Sequence, residues 1–510
     1  MNTFSDDVRK NFEMTLGWLQ EHACSRTYGL GSKMPWDESW LIEGLSDSTI
    51  YMAYYTVAHL LQGGTYDSSK PNVLNIKAEE MSLDVWDYIF LKAPFPAETK
   101  IPKQALDRLK REFEYWYPCD IRVSGKDLVP NHLTYTIYNH VAMWPDTPEN
   151  WIQGIRANGH LLLNSEKMSK STGNFLTLSE AINKFSADGM RLALADAGDS
   201  VEDANFVTSS ADAGILRLYT FIEWVKETLA DESLKKRTKP NFHDDVFLNE
   251  MNLKLAQAHD AYDKLLFKEA LKTGFFELQT ARDKYRELCG EDGMCRDLIL
   301  KYIEWQCIIL SPICPHVCEH IWGLLRKPES ILSTDWPKAA KVNLTVIQQS
   351  EYLMEAVRDF RLKLKAALAP PKAKKGPAPA ASEPPTHCTV YVAKSYPTWQ
   401  CTILDTLKEM YKTGVPDNKA ISVEMGKLPE LKKFMKRVMP FVAFMKEKVE
   451  SSGLSALESS LPWDEMKVLE ENLEYIVNSL QLEGCKLSWS TELGEKGEDC
   501  KPGQPLIAFR

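Results

Sequence analysis

Two lysines lie three residues apart in the string Lys167-Met168-Ser169-Lys170-Ser171, which follows a short apolar run. The neighbouring residues are small and rich in hydroxyl and amide groups, which predicts a flexible loop with local positive charge. A polyphosphate is the natural ligand of such a loop, because ammonium groups offset the charge on phosphate oxygens during phosphoryl or adenylyl transfer. The alternative is a solvated basic loop, which is the better interpretation of a lysine pair taken without its context.

A second candidate site consists of Gly125 and Asp127, which follow a β-branched segment at residues 120–124. That segment predicts a strand. Glycine at a strand end lets the backbone approach a ligand, and a carboxylate two residues later can accept hydrogen bonds from a ribose diol. The alternative is an aspartate that only caps a helix. The lysine loop later in the chain favours the ribose role.

His132 lies in the helix predicted at residues 128–140. It is either a wall of an amino-acid pocket or a hydrogen-bonded histidine of the core, and residue type alone favours the core. Asp47 and Ser48 lie where a predicted strand passes into a helix, and a structural N-cap is the simplest interpretation of both.

The string around Cys314, His316, Cys318 and His320 resembles a zinc-ligand set in composition only. On a helix, residues i and i+4 share a face, so the cysteine pair and the histidine pair point in roughly opposite directions. The sequence has no C-x-x-C pair to complete a tetrahedral site. We therefore predict no metal site here, and a packed helix start that follows two prolines.

Basic residues form candidate contacts to an RNA backbone. Charge runs are usually solvated faces, so each carries that alternative as well. The candidates are Arg26 with Lys33, residues 235–237, and the group Lys432, Lys433, Lys436 and Arg437.

The elements that must position these residues predict several domains. Strand, turn, helix, strand and loop between residues 120 and 171 are typical of an α/β nucleotide-binding sheet, whose ligands bind beyond the carboxyl ends of the strands. Helical periodicity from residue 204 to about residue 341 predicts a bundle. A segment rich in proline, alanine and lysine predicts a linker. The predicted domains are 1–203, 204–368, the linker 369–386, and a small α/β domain at 387–510.

Composition limits the class of protein. The chain has 510 residues, 44% apolar and 26% charged residues, and a net charge of −10. These values predict a soluble multidomain protein whose nucleic-acid contacts come from local basic faces. No apolar run reaches transmembrane length. The 11 scattered cysteines and the absence of a signal peptide predict reduced thiols in a cytoplasmic protein that does not bind a membrane.

Several strings together resemble one family, the eukaryotic cytosolic leucyl-tRNA synthetases of class I. The resemblance covers nearly the whole chain. It rests on residues 23–31, 46–51, 124–133, 167–171 and 195–199, and residues 315–322 resemble the helical anticodon-binding-type domain of the same subclass. It implies an α/β Rossmann-like half-domain, namely the second half of a class I catalytic core, followed by an all-α anticodon-binding-type bundle and a small α/β C-terminal domain.

The family reaction forms leucyl-adenylate and pyrophosphate from leucine and ATP with Mg²⁺, and then transfers leucine to tRNA(Leu). The resemblance implies catalytic roles for Lys167 and Lys170, which would hold the departing pyrophosphate by positioning and charge stabilisation. It further implies partners in a multi-synthetase assembly. The remaining implied ATP-binding residues are Gly125, Asp127, His160, Leu161, Met168, Ser169 and Ser171, and the implied leucine-binding residues are Leu45, Ser48 and His132.

The chain departs from the family pattern in two respects. It lacks a His-x-Gly-His-type string, and it lacks the editing domain that precedes Arg26 in these enzymes. We therefore expect a fragment or a partial gene model. One alternative is a catalytically incomplete module that binds tRNA or protein. Another is a synthetase for isoleucine, valine or methionine, because a single methylene contributes only about 1–3 kcal/mol to discrimination between these substrates.

Overall fold

The computed structural model describes residues 1–18, 24–47, 49–232, 234, 236, 239–368, 384–412 and 414–510. Its internal contacts divide the chain into two compact units. The first unit is Met1–Lys226 with Ala258–Lys272 and Leu310–Ser333. The second unit is Glu227–Gln257, Thr273–Ile309 and Thr334–Arg510. The predicted domain boundaries remain a prediction.

Helices dominate both units. In chain order they are α1 (Asp6–Trp18), α2 (Gly44–Asp47), α3 (Tyr51–Leu61), α4 (Leu83–Phe90), α5 (Lys103–Trp116), α6 (Thr134–Met143), α7 (Leu178–Phe185), α8 (Ala187–Ala197), α9 (Thr208–Ala230), α10 (Phe242–Asp263), α11 (Phe267–Leu271), α12 (Leu278–Cys289), α13 (Arg296–Leu310), α14 (Pro315–Leu324), α15 (Leu344–Leu368), α16 (Thr398–Tyr411), α17 (Asn418–Lys427), α18 (Met435–Ser452), α19 (Glu465–Glu471) and α20 (Leu473–Leu480).

The strands are short. They are β1 (Ser25–Arg26), β2 (Lys33–Met34), β3 (Asp37–Ile42), β4 (Arg122–Gly125), β5 (Ile155–Asn158), β6 (Leu161–Leu163), β7 (Glu166–Lys167), β8 (Ala204–Phe206), β9 (His387–Val392), β10 (Gly484–Trp489) and β11 (Leu506–Phe509). In the part of the chain that is described, no helix is long and apolar enough to cross a membrane.

A parallel pair of strands carries the first candidate site residues. Strand β4 pairs in parallel with β5, in a register that places Gly125 opposite Asn158. A 3₁₀ turn at Lys126–Leu128, a π-helical turn at Val129–Leu133 and helix α6 connect the two strands. The predicted order of strand, turn, helix and strand is therefore confirmed, and the carboxyl ends of β4 and β5 lie side by side.

A second small sheet carries the lysine loop. It has the order β7-β6-β8, in which β6 is antiparallel to β7 and parallel to β8. Leu163 of β6, Phe206 of β8 and Phe185 of α7 are buried together beneath it. Burial of these apolar side chains fixes the strand from which the loop emerges.

Apolar packing holds the parallel pair against helices. Val8 and Phe12 on one face of α1 are buried with Leu133 and with Ile155 of β5. Their spacing of four residues places Val8 and Phe12 on the same helix face, as the amphipathic pattern predicts. This core fixes the backbone from which the residues after β4 and β5 project.

In the second unit, strands β9, β10 and β11 form a sheet in the order β10-β9-β11, with β9 parallel to β10 and antiparallel to β11. Helices α15, α19 and α20 pack against this sheet, and Leu353, Phe360 and Val390 are buried between them. Helices α16, α17 and α18 enclose a separate apolar core, which contains Ile403 and Met445.

Two local predictions were wrong, and one helix was not predicted. Ala204–Phe206 is a strand, because its backbone pairs in parallel with β6. Helix α3 begins at Tyr51 after Ile50, because the one-turn helix α2 already includes Asp47, so Asp47 is not its N-cap. Helix α17 was not predicted, because it buries only Ile421 and Met425. Residues 369–383 of the predicted linker lie outside the described residues.

Candidate active site

The lysine loop begins with a tight hairpin between β6 and β7. Asn164 and Ser165 both have positive φ angles, 50° and 68°, which a two-residue turn between antiparallel strands requires. The Asn164 amide donates to the Phe206 carbonyl at 2.9 Å, and its side-chain oxygen accepts from the Thr208 amide at 3.1 Å. The Ser165 amide donates to the side-chain oxygen of Asn205 at 2.7 Å. The hairpin is therefore bonded to β8 and to the start of α9.

The loop after β7 is closed by its own hydrogen bonds. The Ser169 amide donates to the Asn174 carbonyl at 3.0 Å, and the Asn174 side-chain amide lies 3.4 Å from the carbonyl oxygen of Lys167. The Ser169 and Ser171 hydroxyls are 2.7 Å apart. Gly173 has a φ of +73°, a conformation that favours glycine. The string thus forms a second narrow turn.

The side chains of this loop face solvent. Lys167, Lys170 and Ser171 are exposed, and Met168 is 37% exposed. Within the described residues, neither lysine forms an ion pair. Two ammonium groups without carboxylate partners are available to an anionic ligand, as the proposed phosphate contact requires.

At the ends of β4 and β5, the structure brings together three of the predicted residues. The His160 Nε2 atom lies 3.8 Å from the Asp127 carboxylate, and both side chains are more than half exposed. The Asp127 carboxylate folds back over Gly125, where an added Cβ would lie 2.6 Å from its Oδ1 atom. A side chain at position 125 would therefore displace the Asp127 carboxylate. Leu161 begins β6, directly after His160.

Asp203 and Lys126, which the sequence prediction missed, complete this cluster. The Lys126 ammonium lies 2.6 Å from the Asp203 carboxylate, and the His160 backbone amide donates to the same oxygen at 2.9 Å. The Lys126 side chain, and after it the His160 amide, lower the pKa of Asp203. An ion-paired aspartate before β8 therefore fixes the backbone at His160. No local pattern in the sequence distinguishes this aspartate from one without an ion pair.

The connection between β5 and β6 requires glycine. A Cβ on Gly159 would lie 2.1 Å from the carbonyl oxygen of Glu202. The Gly159 amide donates to the Ser200 carbonyl at 3.1 Å, and the Ala204 amide donates to the His160 carbonyl at 2.9 Å. Two backbone segments approach each other here more closely than any side chain permits.

His132 is buried and both of its ring nitrogens have partners. It is 6% exposed. Arg122 Nη2 lies 2.6 Å from Nε2, and Nδ1 lies 3.2 Å from the Leu45 carbonyl oxygen. Because a guanidinium only donates and a carbonyl only accepts, His132 is the neutral tautomer with its proton on Nδ1. Leu45 and His132 are therefore brought together, as expected for one pocket. Ser48 lies outside the described residues.

Burial lowers the pKa of His132. The Arg122 charge acts in the same direction, whereas the hydrogen bond to the Leu45 carbonyl opposes it. Arg122 also lies 5.8 Å from the Tyr51 ring, a cation–π distance. Sequence reasoning missed Arg122, although an arginine within a predicted strand was a usable signal.

The basic candidates differ in their surroundings. The Arg26 guanidinium donates to the Leu30 carbonyl at 2.5 Å within its own loop, and Lys33 lies 3.1 Å from Glu38. Lys235 and Arg237 lie outside the described residues. The second unit holds a more open group, whose side chains are all exposed: Lys432, Lys433, Lys436 and Arg437.

The cysteine and histidine string forms a packed helix start, as predicted. Helix α14 begins at Pro315, and Cys314 and Cys318 are fully buried. The Val317 amide donates to the buried Asp188 carboxylate at 2.6 Å, and Arg191 Nε donates to the Ile313 carbonyl at 2.7 Å. Among the described residues, no group of three or more histidines, cysteines and carboxylates could hold a metal ion.

Three family models match separate parts of the chain. Residues 88–215 match "tRNA synthetases class I (M)", which includes the β4–β5 cluster and the lysine loop. Residues 244–375 match "Anticodon-binding domain of tRNA ligase". Residues 392–462 match "Leucine--tRNA ligase, RagD-binding domain". The chain is thus a class I synthetase fragment with Rossmann-like and helical anticodon-binding regions.

Curated relatives extend this similarity to the whole chain. "Leucine--tRNA ligase, cytoplasmic" of Pongo abelii is 58% identical over 516 residues, which cover 100% of this chain and 44% of the relative. The proteins of the same name from Dictyostelium discoideum and Saccharomyces cerevisiae are each 43% identical, and the matches cover 100% of this chain and 48% of each relative.

A crystal structure described as a ternary complex of Agrobacterium radiobacter K84 LeuRS, tRNA and LeuAMS shares 15% identity. It covers 64% of this chain and 38% of its own, with a TM-score of 0.42, which is too low to support an inference. Homology over its whole length nevertheless places the chain in the family of the cytoplasmic leucine–tRNA ligases, and it spans about half the length of the curated relatives it matches.

Proposed function

We propose that the chain is part of a leucine–tRNA ligase, which activates leucine with ATP and transfers it to tRNA(Leu). The observation that carries the proposal is the cluster of Gly125, Asp127 and His160 at the ends of two parallel strands, with the lysine loop in the separate sheet whose strand β6 begins directly after His160. This edge of a parallel sheet is where α/β proteins bind nucleotides. The proposed substrates leucine and tRNA are taken from the names of the similar proteins.

The arrangement of domains follows from this proposal. Residues 1–203 would be the second half of the catalytic domain, residues 204–368 the anticodon-binding-type bundle, and residues 387–510 a C-terminal α/β extension after the linker 369–386. The family matches at residues 88–215 and 244–375 support the first two assignments.

In the proposed activation step, the Asp127 carboxylate accepts hydrogen bonds from the ribose hydroxyls while His160 and Leu161 lie beside the adenine. The unpaired Lys167 and Lys170 ammonium groups stabilise the negative charge that develops on the departing pyrophosphate. Met168, Ser169 and Ser171 shape the turn that presents these lysines. Mg²⁺ enters as part of the MgATP substrate and offsets phosphate charge from outside the protein.

The proposed leucine pocket includes Leu45, Ser48 and His132. Its support is the hydrogen bond between the His132 ring and the Leu45 carbonyl, together with the low polarity that a neutral, buried imidazole gives to such a wall. Arg122 keeps His132 in this tautomer by donating to its Nε2 atom.

The test is leucine-dependent exchange of pyrophosphate into ATP. The chain spans about half of its relatives, so the assay supplies the part of the Pongo abelii relative that the chain does not match. The changes Lys167→Ala and Lys170→Ala are each expected to lower the exchange rate by a factor of about 10²–10³ if these lysines stabilise transition-state charge. Lys433→Ala is a matched control, because Lys433 is an exposed lysine of the second unit. Wild-type exchange in both loop variants would refute the catalytic role.

A second candidate is a catalytically incomplete module that binds tRNA or a protein partner. The match of residues 392–462 to a RagD-binding domain favours a protein-binding role for that segment. The match at residues 244–375 favours binding of tRNA. So do four exposed basic residues, namely Lys432, Lys433, Lys436 and Arg437. Arg26 is a weaker candidate, because it already bonds within its own loop.

The two candidates separate in one experiment. The 510-residue chain alone is assayed for adenylate formation and is titrated with tRNA(Leu) across a range of salt concentrations. The module is supported if the chain binds tRNA(Leu) and forms no adenylate. This binding should weaken as salt rises, because contacts to RNA phosphates release counterions. Adenylate formation by the chain alone would exclude the module.

The relatives' names also support a cytoplasmic location for the whole protein. Other synthetases of a multi-synthetase assembly are proposed as partners, and no membrane is expected among them.

A further inference from the structure

A cavity in the second unit lies apart from the proposed leucine and ATP sites. It has a volume of about 550 Å³ and lies between α16, α18 and the segment near Lys501. Trp399, Phe441 and Phe444 form its apolar wall. Trp399 stacks on Phe434 with ring centroids 4.9 Å apart. The volume falls within the range of small-molecule sites, about 300–1,000 Å³.

A buried acceptor without a hydrogen-bond donor lines this cavity. Gln400 is 3% exposed, and within the described part of the chain its Oε1 atom has no hydrogen-bond partner. A buried acceptor left unpaired costs about 1–3 kcal/mol. Gln400 is one of the lining residues of the cavity, so a rotation of its buried side-chain amide would turn Oε1 towards a ligand that supplies the missing N–H or O–H donor.

The charges around the cavity select an anion. Lys436 and Arg437 line it from α18, and within the described residues neither forms an ion pair. The Lys501 ammonium lies 5.6 Å from the Phe441 ring centroid and 5.9 Å from that of Phe444. Asp499 is the acidic residue among the lining side chains that are described. One carboxylate among three cations matches a ligand that is anionic but also carries a hydroxyl group.

We propose that this cavity binds a nucleotide unit whose base carries an exocyclic amino group. The amino group donates to Gln400 Oε1, the base lies against the apolar wall, and the phosphate contacts Lys436 and Arg437. Asp499 accepts a hydrogen bond from the ribose. The unit is either a free nucleotide or an unpaired nucleotide of an RNA chain, and both present the same groups.

Other occupants explain fewer of these observations. Inorganic phosphate would use the cations but would leave the apolar wall and the Gln400 acceptor without a role. An acidic peptide would use the cations and would meet repulsion from Asp499. The proposal does not depend on leucine activation, since every residue in it belongs to the second unit.

The test is calorimetric titration of the full chain, carrying Asp127→Ala, with AMP, UMP and inorganic phosphate. Asp127 is the proposed ribose contact of the ATP site, so its loss suppresses AMP binding there and the remaining binding reports on this cavity. AMP is expected to bind more tightly than UMP, which presents a carbonyl where AMP presents an amino group. Gln400→Leu is expected to weaken AMP binding about threefold to tenfold, which corresponds to one hydrogen bond, and to retain the fold because it removes an unpaired buried acceptor.

The exposed pair Lys436→Ala with Arg437→Ala is expected to weaken AMP at least tenfold. Lys419→Ala with Lys486→Ala is the matched control, because it removes the same charge from exposed lysines of the second unit that do not line the cavity. A five-nucleotide adenosine RNA that displaces AMP identifies RNA as the source, and AMP binding without displacement identifies a free nucleotide. No AMP binding at millimolar concentration, equal binding of phosphate, or equal losses of AMP affinity in the two double variants would overturn the proposal.

Discussion

Gly159 offers the sharpest test of how the candidate site is built. Its missing side chain lets residues 159–160 approach the backbone of Glu202 and Asp203. A Cβ at position 159 would lie 2.1 Å from the Glu202 carbonyl oxygen, 2.4 Å from its carbonyl carbon and 2.8 Å from the Asp203 nitrogen. All three atoms belong to the backbone, so a side-chain rotation cannot relieve the contact.

The size of the required movement gives the expected cost of Gly159→Ala. Restoring an ordinary contact of 3.4 Å from 2.1 Å requires a displacement of about 1.3 Å. That displacement exceeds the tolerance of the three hydrogen bonds between the segments: Gly159 amide to Ser200 at 3.1 Å, His160 amide to Asp203 at 2.9 Å, and Ala204 amide to His160 at 2.9 Å. At about 0.5–1.5 kcal/mol each, the loss of all three predicts a destabilisation of about 1.5–4.5 kcal/mol.

Hydrogen exchange read by mass spectrometry measures this cost locally. We expect Gly159→Ala to increase exchange in peptides that span residues 155–163 and 199–206, with little change in the second unit. Gly323→Ala is the matched control, since a Cβ at Gly323 in α14 meets no atom within 4 Å. The control is expected to be neutral or stabilising by up to about 1 kcal/mol, because alanine favours a helix. Unchanged exchange in both peptides would refute the close-approach argument.

Three further predictions concern buried polar groups. Asp188→Ala removes the acceptor of the Val317 amide and is expected to lower the free energy of unfolding by about 1.5–3 kcal/mol, measured by urea unfolding. Asp263→Ala, at an exposed aspartate, is the control. A loss below about 0.5 kcal/mol for Asp188→Ala would contradict the prediction. Burial lowers the pKa of His132 and His140 below 6.5, so the unfolded chain binds more protons in acid than the folded chain does. The stability that depends on these neutral histidines is present above pH 6.5 and should fall as the pH is lowered below it. A urea midpoint that rises when the pH is lowered from 7.5 to 5.5 would refute this sign. Tyr352→Phe removes a donor 2.6 Å from the buried Glu465 carboxylate and should cost about 1–3 kcal/mol in thermal unfolding, whereas Tyr66→Phe, at a fully exposed tyrosine, should cost nothing measurable.

Local patterns predicted most of the elements. The β-branched segment before Gly125 and the short apolar run before the lysine loop form strands β4 and β6, as predicted. These features depend on residues within a few positions of one another, and sequence spacing records such relations directly. The strand at Ala204–Phe206 could not be predicted in this way, because it exists only by pairing with β6.

Contacts between distant residues explain what the sequence left open about the site. The Lys126–Asp203 ion pair joins residues 77 positions apart, and the His132–Leu45 hydrogen bond joins residues 87 apart. The strings that carry the resemblance identified the family without these contacts, since a motif records only which residues a segment contains. Its surroundings are set by pairs such as Arg122 with His132, where one charge selects a tautomer. The chemistry proposed for Asp127 and His132 therefore depends on neighbours that no motif names, and substitutions at Arg122 or Asp203 should change that chemistry while every residue of the motif remains in place.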